Sequence, residues 1–386
     1  MNILLIALSI VTAAGLAITT LQTILTVIFR RRGRFFGSGR PDEAATRSFR
    51  PAASFVSILK PVCGLDDELE ENLRSFARIR GVNFELIVSV ADPGDPALEV
   101  VQRVRREHRE LTMRVVVGGD RAFEDGNRKV ARLIAAQREA LGDIFFISDS
   151  NVRVEPDDLA KTIAAFADSG VGCVSNVFTG LGAASLGARL ESLHLLSFVV
   201  TGNVLAAFGG VPCVVGKSMA ITRRALKAIG GFASFANVLA EDQAIALAVR
   251  DAGYRVALSP VVVRNVVVNR TVSRALDRQI RWNKIRYSFS RALYSSEFLC
   301  NPLPFALLLA ALTSPAIAIA VLAMRCAQMA VLSSVTGAGL GVRDILLTPL
   351  LDLLQFGAQF APYIDDSVTW RGYRVRLGPN TELLAA

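Results

Sequence analysis

Four short stretches hold side chains whose types and spacing suit chemistry. Val90-Ala91-Asp92-Pro93 sets a carboxylate after an apolar run, and Asp149-Ser150-Asn151 sets a carboxylate and an amide oxygen two residues apart after another. Ala240-Glu241-Asp242 pairs two acids, and Arg278-Gln279-Ile280-Arg281-Trp282 spaces two guanidinium groups by three residues beside an indole. An acid followed by a second oxygen ligand suits a hard divalent cation that holds a diphosphate, and the planar fork of arginine suits phosphate oxygens. Each stretch alone has a plainer reading. An acid after a strand is more often a cap or turn residue, and a basic-aromatic helix near a membrane usually just snorkels.

The elements that must position these groups follow from the hydrophobic pattern. Ile144-Phe145-Phe146-Ile147, with an acid on either side, reads as a short buried parallel strand ending at Ser148. Asp149 then leaves the sheet at its C-terminal edge, where open α/β sheets bind ligands. From Ala53 onward strands (54–59, 84–90, 113–117) alternate with helices (67–79, 96–107, 127–141), with further strands at 171–177, 213–222 and 255–259. Such alternation predicts an α/β fold, a mostly parallel, Rossmann-like sheet flanked by helices on both faces.

The 386 residues are 52% hydrophobic with mean hydropathy +0.42, and the excess lies at the two ends. Residues 1–29 are nearly free of charge and long enough for a hydrocarbon core of about 30 Å. They lack the positive start and short apolar core of a signal peptide. Arg30, Arg31, Arg32 and Arg34 follow, so the positive-inside rule places what comes next in the cytoplasm. A basic linker is expected over 30–52, the catalytic domain over 53–270, and interfacial helices over 271–300. A membrane region is expected over 301–364, with 302–324 as one span, and a basic tail over 365–386. The net charge of +9 clusters beside the apolar segments without a stripe of interleaved aromatics, which favours an anionic bilayer as partner over nucleic acid. Five scattered cysteines without CxxC spacing indicate neither a disulfide framework nor a zinc site.

In their order along the chain the four stretches resemble the inverting glycosyltransferases of the family 2 type with the GT-A fold. Their signature is Asp, Asp-x-Asp, (Glu/Thr)-Glu-Asp and (Gln/Arg)-x-x-Arg-Trp. The closer resemblance is to the ceramide glucosyltransferases, glycosyltransferase family 21. It runs over roughly 54–300 through Leu59-Lys60-Pro61, Asp92, Asp149-Ser150, Arg153-Val154, Cys213-Val214-Val215-Gly216, Ala240-Glu241-Asp242 and Arg278 to Trp282, and returns at Trp370-Arg371 with Tyr373-Arg374. The resemblance implies a UDP-sugar donor, with Asp92 at its uracil end, Lys129 near the nucleotide, and the backbone of Lys60 and Pro61, at the end of the first strand, lining the uridine pocket. It makes Asp242 the general base for the acceptor hydroxyl; an N-cap role for the helix from 243 to 252 fits Asp242 equally well.

Breaking a sugar-diphosphate bond puts negative charge on the departing group, so a cation and arginines should meet it. Asp149 and Asn151 are the expected ligands of a divalent cation (Mg or Mn), and Arg281 with Arg278 the phosphate-side donors. Trp282 would pack on the acceptor lipid or sugar, or anchor at the interface.

Two features depart from the pattern. The second acid of Asp-x-Asp is Asn151, which puts metal affinity and strict metal dependence in question. The histidine that some of these enzymes carry before the Cys213 segment is Val199 here, and His194 and His108 read as packing or surface residues. Gly216-Lys217-Ser218 ends like a phosphate-binding loop, but the first glycine would fall at Val211 and the spacing fails.

The resulting expectation is a membrane enzyme that transfers glucose from UDP-glucose to the primary hydroxyl of ceramide. Its rivals are another lipid acceptor (a hopanoid, diacylglycerol or polyprenyl phosphate) and a catalytically silent membrane scaffold.

Overall fold

The computed structural model describes residues 3–33, 36–38, 54–118, 126–370 and 373–384. Most of the expected linker, and Arg371 and Gly372 of the tail, lie outside the described residues. In chain order the first elements are α1 (Ile3–Arg32), β1 (Phe36–Ser38), β2 (Val56–Val62), α2 (Leu69–Ala77), β3 (Phe84–Val90), α3 (Ala97–Glu107), β4 (Met113–Val117) and α4 (Arg128–Glu139). Next come β5 (Ile144–Ser148), β6 (Val152–Arg153), α5 (Asp158–Ile163), β7 (Val171–Leu181), α6 (Leu186–His194), α7 (Thr201–Phe208), β8 (Ser218–Thr222), α8 (Arg223–Ala228), α9 (Glu241–Asp251) and β9 (Arg255–Val266). The last are α10 (Val272–Phe289), α11 (Arg291–Ser296), α12 (Leu303–Leu312), α13 (Pro315–Thr336), α14 (Val342–Ile345), α15 (Thr348–Ala358), β10 (Ser367–Trp370), β11 (Tyr373–Leu377) and β12 (Leu383–Leu384).

One compact unit comprises Gly33–Phe178 and Ala206–Val266. Its sheet has the order β1-β9-β7-β8-β5-β2-β3-β4, with β6 paired to β9. The strands β5, β2, β3 and β4 are parallel, as the alternating pattern predicts. Every residue of β2 and β5 is buried, as strands covered on both faces must be. Leu59, Ile87, Phe145, Ile147, Met219 and Ile221 form the core with Val130 and Leu133 of α4 and Ile245 and Val249 of α9.

The strand expected over 213–222 is present in its second half as β8, but it runs antiparallel between β5 and β7, a direction the alternating pattern does not foresee. Nor does the first strand end at Lys60 and Pro61: β2 continues to Val62. Pro61 is tolerated because β2 pairs β5 only from Val56 to Leu59, so a residue without N–H falls where one neighbour is already gone.

The other unit comprises Met1–Arg32, Thr179–Leu205 and Val267–Ala386. Among the described residues four helical stretches are long and apolar enough to cross a membrane: Ile3–Arg32, Leu186–Phe208, Pro315–Thr336 and Val342–Tyr363. Arg291–Cys300 with Leu303–Leu312, bent by 54°, would make a fifth. The span expected over 302–324 is therefore misplaced. Pro315 lacks an N–H and its ring bars continuation of the preceding turn, so α12 ends at Leu312 and α13 starts afresh with Ser314 as its cap.

Gly15 of α1 packs so closely that a Cβ there would lie 2.8 Å from the Leu299 carbonyl oxygen. Within the apolar helices Arg325 and Asp352 form a two-pronged ion pair at 2.9 and 3.0 Å, both side chains buried. Each thereby satisfies the other where water is absent. The basic tail is itself folded: β10, β11 and β12 form a small antiparallel sheet, and Lys284 of α10 donates to the Ser367 carbonyl at 2.6 Å.

Candidate active site

The site is built where β5 stops. Ser148 is in register with Ser218 across the antiparallel pair, and the Asp149 N–H bonds the Lys217 carbonyl at 3.1 Å. Asp149 and Lys217 are thus held opposite each other just beyond the sheet. The Lys217 ammonium lies 3.0 Å from Asn151 Oδ1 and 3.6 Å from Asp149 Oδ2. Asn127 caps α4 by accepting the N–H groups of Lys129 and Val130. That cap presents Lys129 to the site, where its Nζ lies 2.9 Å from Asp149 Oδ1, 2.9 Å from Glu241 Oε1 and 3.3 Å from the Gly216 carbonyl.

The acid pair at the start of α9 divides its work. Glu241 is buried, tied to Lys129 and to the Asn127 amide at 3.1 Å. Asp242 is only half-buried; its Oδ2 accepts the Gly216 N–H at 2.6 Å and its Oδ1 the Gln243 N–H at 2.8 Å. The N-cap alternative for Asp242 does not hold, because α9 already begins at Glu241 and Ala240 takes the cap position.

The strand expected from Cys213 starts only at Ser218. Before it, the Val214, Val215 and Gly216 N–H groups go to the side chains of Gln243, Ser175 and Asp242 instead of to a ladder. Gly216 has no room for a side chain: a Cβ would stand 2.9 Å from Lys129 Nζ and 3.0 Å from Asp242 Cβ.

Charge follows from this packing. Burial alone would lower the Lys129 pKa, but Asp149, Glu241 and Asp242 outweigh it and hold the ammonium above its ordinary range. Burial pushes Glu241 up, with Lys129 opposing and Asp242 adding to the rise. Lys60 lies beneath the turn, fully buried, and donates to the Asp149 carbonyl at 2.8 Å while its ammonium sits 4.3 Å from the centre of the Phe76 ring. Burial lowers its pKa to about 7 against the pull of Asp149 and Asp66. Its side chain therefore pins the Asp149 turn. Ser150 is fixed in the same way, its hydroxyl donating to Asp66 and its carbonyl accepting from Asn72.

Asp92 occupies the exposed turn after β3, accepting the Gly94 N–H at 2.8 Å. Because β3 and β5 are parallel with β2 between them, it leaves the same edge of the sheet as Asp149, from the strand two places away. Arg278, Arg281 and Trp282 lie on α10 of the other unit. Arg278 is not an uncommitted phosphate donor: it pairs with the buried Glu191 of α6, which also holds Arg270 at 2.8 Å, and its guanidinium stacks over Trp282 at 4.6 Å. Trp282 is 6.0 Å from His194, which stacks on Phe198. An acid in the otherwise apolar run from Leu186 was the signal for that pairing. The residues that the sequence reading passes over are Glu191, Lys217 and Asp66, each paired with a group far away along the chain.

Among the described residues no group of three or more His, Cys, Asp or Glu converges to hold a metal ion. Asp149 and Asn151 do offer two oxygens, each already facing an ammonium group. A divalent cation at these two oxygens would have to displace Lys217 from Asn151 and take its remaining ligands from phosphate oxygens and water.

The profile of glycosyl transferase family 21 matches residues 7–383. Ceramide glucosyltransferase 1 of Caenorhabditis elegans is 28% identical over 239 residues, 61% of this chain and 50% of that protein. Ceramide glucosyltransferase 3 of the same organism is 26% identical over 262 residues, 66% of this chain and 55% of its own length. The chain thus spans about half the length of these relatives. A mannosyltransferase from Pyrobaculum calidifontis, solved with GDP-Man and Mn2+, shares the fold with a TM-score of 0.50 at 21% identity, over 91% of this chain and 99% of that one. With residues 7–383 of its 386 matched by the family's profile, the chain belongs to glycosyl transferase family 21.

Proposed function

We propose that this protein transfers glucose from UDP-glucose, with inversion, to the primary hydroxyl of ceramide, from a catalytic domain on the cytoplasmic side of the membrane. The observation that carries this reading is the division within the acid pair: Glu241 is buried in an ion pair, while Asp242 stays half-open with both oxygens oriented by backbone N–H groups. An oriented, accessible carboxylate is what a hydroxyl nucleophile needs as proton acceptor. Asp242 takes the hydroxyl proton as the oxygen attacks the anomeric carbon.

The departing diphosphate gains negative charge, which Lys129 meets from the first turn of α4. A divalent cation bound by Asp149 and Asn151 would add to that neutralisation. Asp92 holds the uracil end and the Lys60-Pro61 backbone lines the uridine pocket. Arg281 and Trp282 take the roles their motif implies, phosphate donor and packing surface. The three arginines in the last turn of α1, Arg30, Arg31 and Arg32, support the cytoplasmic orientation.

The test is incubation of membranes bearing the full chain with labelled UDP-glucose and ceramide, read as labelled glycolipid. Asp242→Asn should bind UDP as the parent does and transfer at least about a hundredfold more slowly, the scale of a lost general base. Unchanged transfer in that variant removes the base assignment. Label appearing only on another lipid keeps the chemistry and replaces the acceptor.

A further inference from the structure

Gly216-Lys217-Ser218 lacks the spacing of a phosphate-binding loop, yet the fold brings Lys217 to the same kind of place. Three observations fix it there. Its backbone is locked by the β5–β8 pairing and by the bond from the Asp149 N–H. Its side chain is almost fully enclosed, 9% exposed, with the ammonium at Asn151 Oδ1 and near Asp149 Oδ2. Asn151 in turn is oriented from behind, its Nδ2 donating to Asn265 Oδ1 at 3.1 Å, so its oxygen is aimed at Lys217.

The charges make the point quantitative. Relative to an Asp-x-Asp site with no lysine at 217, the amide at 151 removes one negative charge and Lys217 adds one positive charge. Whatever Lys129, Glu241, Asp242 and Lys60 contribute is common to both, and the difference of two is the charge of one divalent cation. The replacement of the acid at 151 by Asn and the presence of a lysine at 217 act in the same direction, and they meet in one 3.0 Å contact.

We propose that Lys217 is a built-in counter-charge for the donor diphosphate, occupying the seat between Asp149 and Asn151 and making nucleotide binding depend on this lysine more than on a divalent cation. The proposal rests on the reading that the donor is a nucleoside diphosphate sugar. When the diphosphate arrives, the ammonium on its flexible four-carbon stem turns from the Asn151 oxygen to a phosphate oxygen, and no proton needs to move. The bland alternative is that Lys217 only neutralises Asp149 and has no part in binding; it predicts a loss of folding stability without a change in cation response.

The experiment is calorimetric titration of the purified full chain, in lipid nanodiscs, with UDP in the presence of Mn2+ and in the presence of EDTA. For the parent, chelation should weaken UDP binding by no more than about threefold. Lys217→Met should weaken binding in EDTA by about ten- to a hundredfold, the range for one charged hydrogen bond. Lys217→Arg should keep most of the affinity, which separates a charge role from a packing defect. Lys217→Met combined with Asn151→Asp should bind UDP again, but only with Mn2+.

Loss of parental UDP binding on chelation, with Lys217→Met responding to Mn2+ as the parent does, overturns the proposal and leaves the donor reading intact. If the parent binds no UDP under either condition, the donor reading falls and takes this inference with it.

Discussion

Lys129→Met is the perturbation whose size the structure fixes best. Lys129 makes two contacts of 2.9 Å, to Asp149 and to Glu241. Asp149 would keep Lys217 and Lys60 nearby, whereas Glu241 would be left buried with only the Asn127 amide. Stripping one partner from a buried pair costs about 3–5 kcal/mol, but a carboxyl can escape by taking a proton. That route is limited by the cost of protonating the carboxyl at the working pH. From the ordinary value of 4.5, and at 1.36 kcal/mol per pH unit, it comes to about 3 kcal/mol at pH 7 and about 1 kcal/mol at pH 5.5.

The sign follows from linkage. An acid whose folded pKa is raised binds more protons folded than unfolded, so its contribution to stability falls as pH rises above 4.5. The variant should therefore lose more against the parent at pH 8 than at pH 5.5. Lys129→Met with Glu241→Gln should recover about 2 kcal/mol at pH 7 and lose that pH dependence, a coupling well beyond the error of a double-mutant cycle. Hydrogen exchange read on peptides from α4 and α9 reports the local opening free energy without requiring reversible unfolding of a membrane protein. A deficit below about 1 kcal/mol at pH 8, or one that shrinks as pH rises, refutes the reasoning.

Three more predictions follow from neighbouring geometry. Gly216→Ala drives a Cβ to within 3.0 Å of Lys129 and Asp242; overpacking of this kind costs about 1–3 kcal/mol. It should also displace Asp242, so transfer falls while UDP binding changes less, as paired kinetics and titration will show. Lys60 has a folded pKa near 7 against 10.5 unfolded, so the unfolded chain binds more protons between these values and stability rises with pH there, by at most about 1.4 kcal/mol per unit. Lys60→Met should abolish that rise between pH 7 and 9, followed by hydrogen exchange in β2 and β5; an unchanged slope counts against it. Arg325→Met alone should cost about 3–5 kcal/mol in detergent unfolding, and Arg325→Met with Asp352→Leu should come back to within about 1–2 kcal/mol of the parent; equal losses in both would show that a stranded Asp352 is not the cause of the loss.

How much of this was legible in the sequence depended on whether the signal was local. The strands Phe84–Val90, Met113–Val117 and Ile144–Ser148 have the bounds that their apolar runs predict, because a buried parallel strand announces itself by composition and by the turn residues at its ends. Asp149 and Asp242 can be picked out as candidates from two separate motifs and Lys129 from the family resemblance, and the fold gathers them around Gly216. What the sequence hides is pairing across distance. Nothing near Lys217 says that it meets Asn151, and nothing near Arg278 says that it is already bound to Glu191. The segment at 213–217 has the composition of a strand, but its N–H groups are claimed by side chains of distant residues. Counting apolar residues from 302 to 324 likewise overlooks that Ser314-Pro315 stops one helix and begins another.

The antiparallel strand β8 sets different tolerances for insertions along the chain. Insertions between β7 and β8 that leave α6 and its Glu191 in place are tolerated at Lys217, because the last step of the approach is dictated by the ladder with β5. Removing one residue between Gly216 and Ser218 would instead shift the phase of side chains entering that ladder, and in an extended strand one step turns each to the opposite face. Homologous chains that differ in length between α7 and 213 can thus keep the same seat for this lysine, whereas a length change of one at 216–218 would remove it.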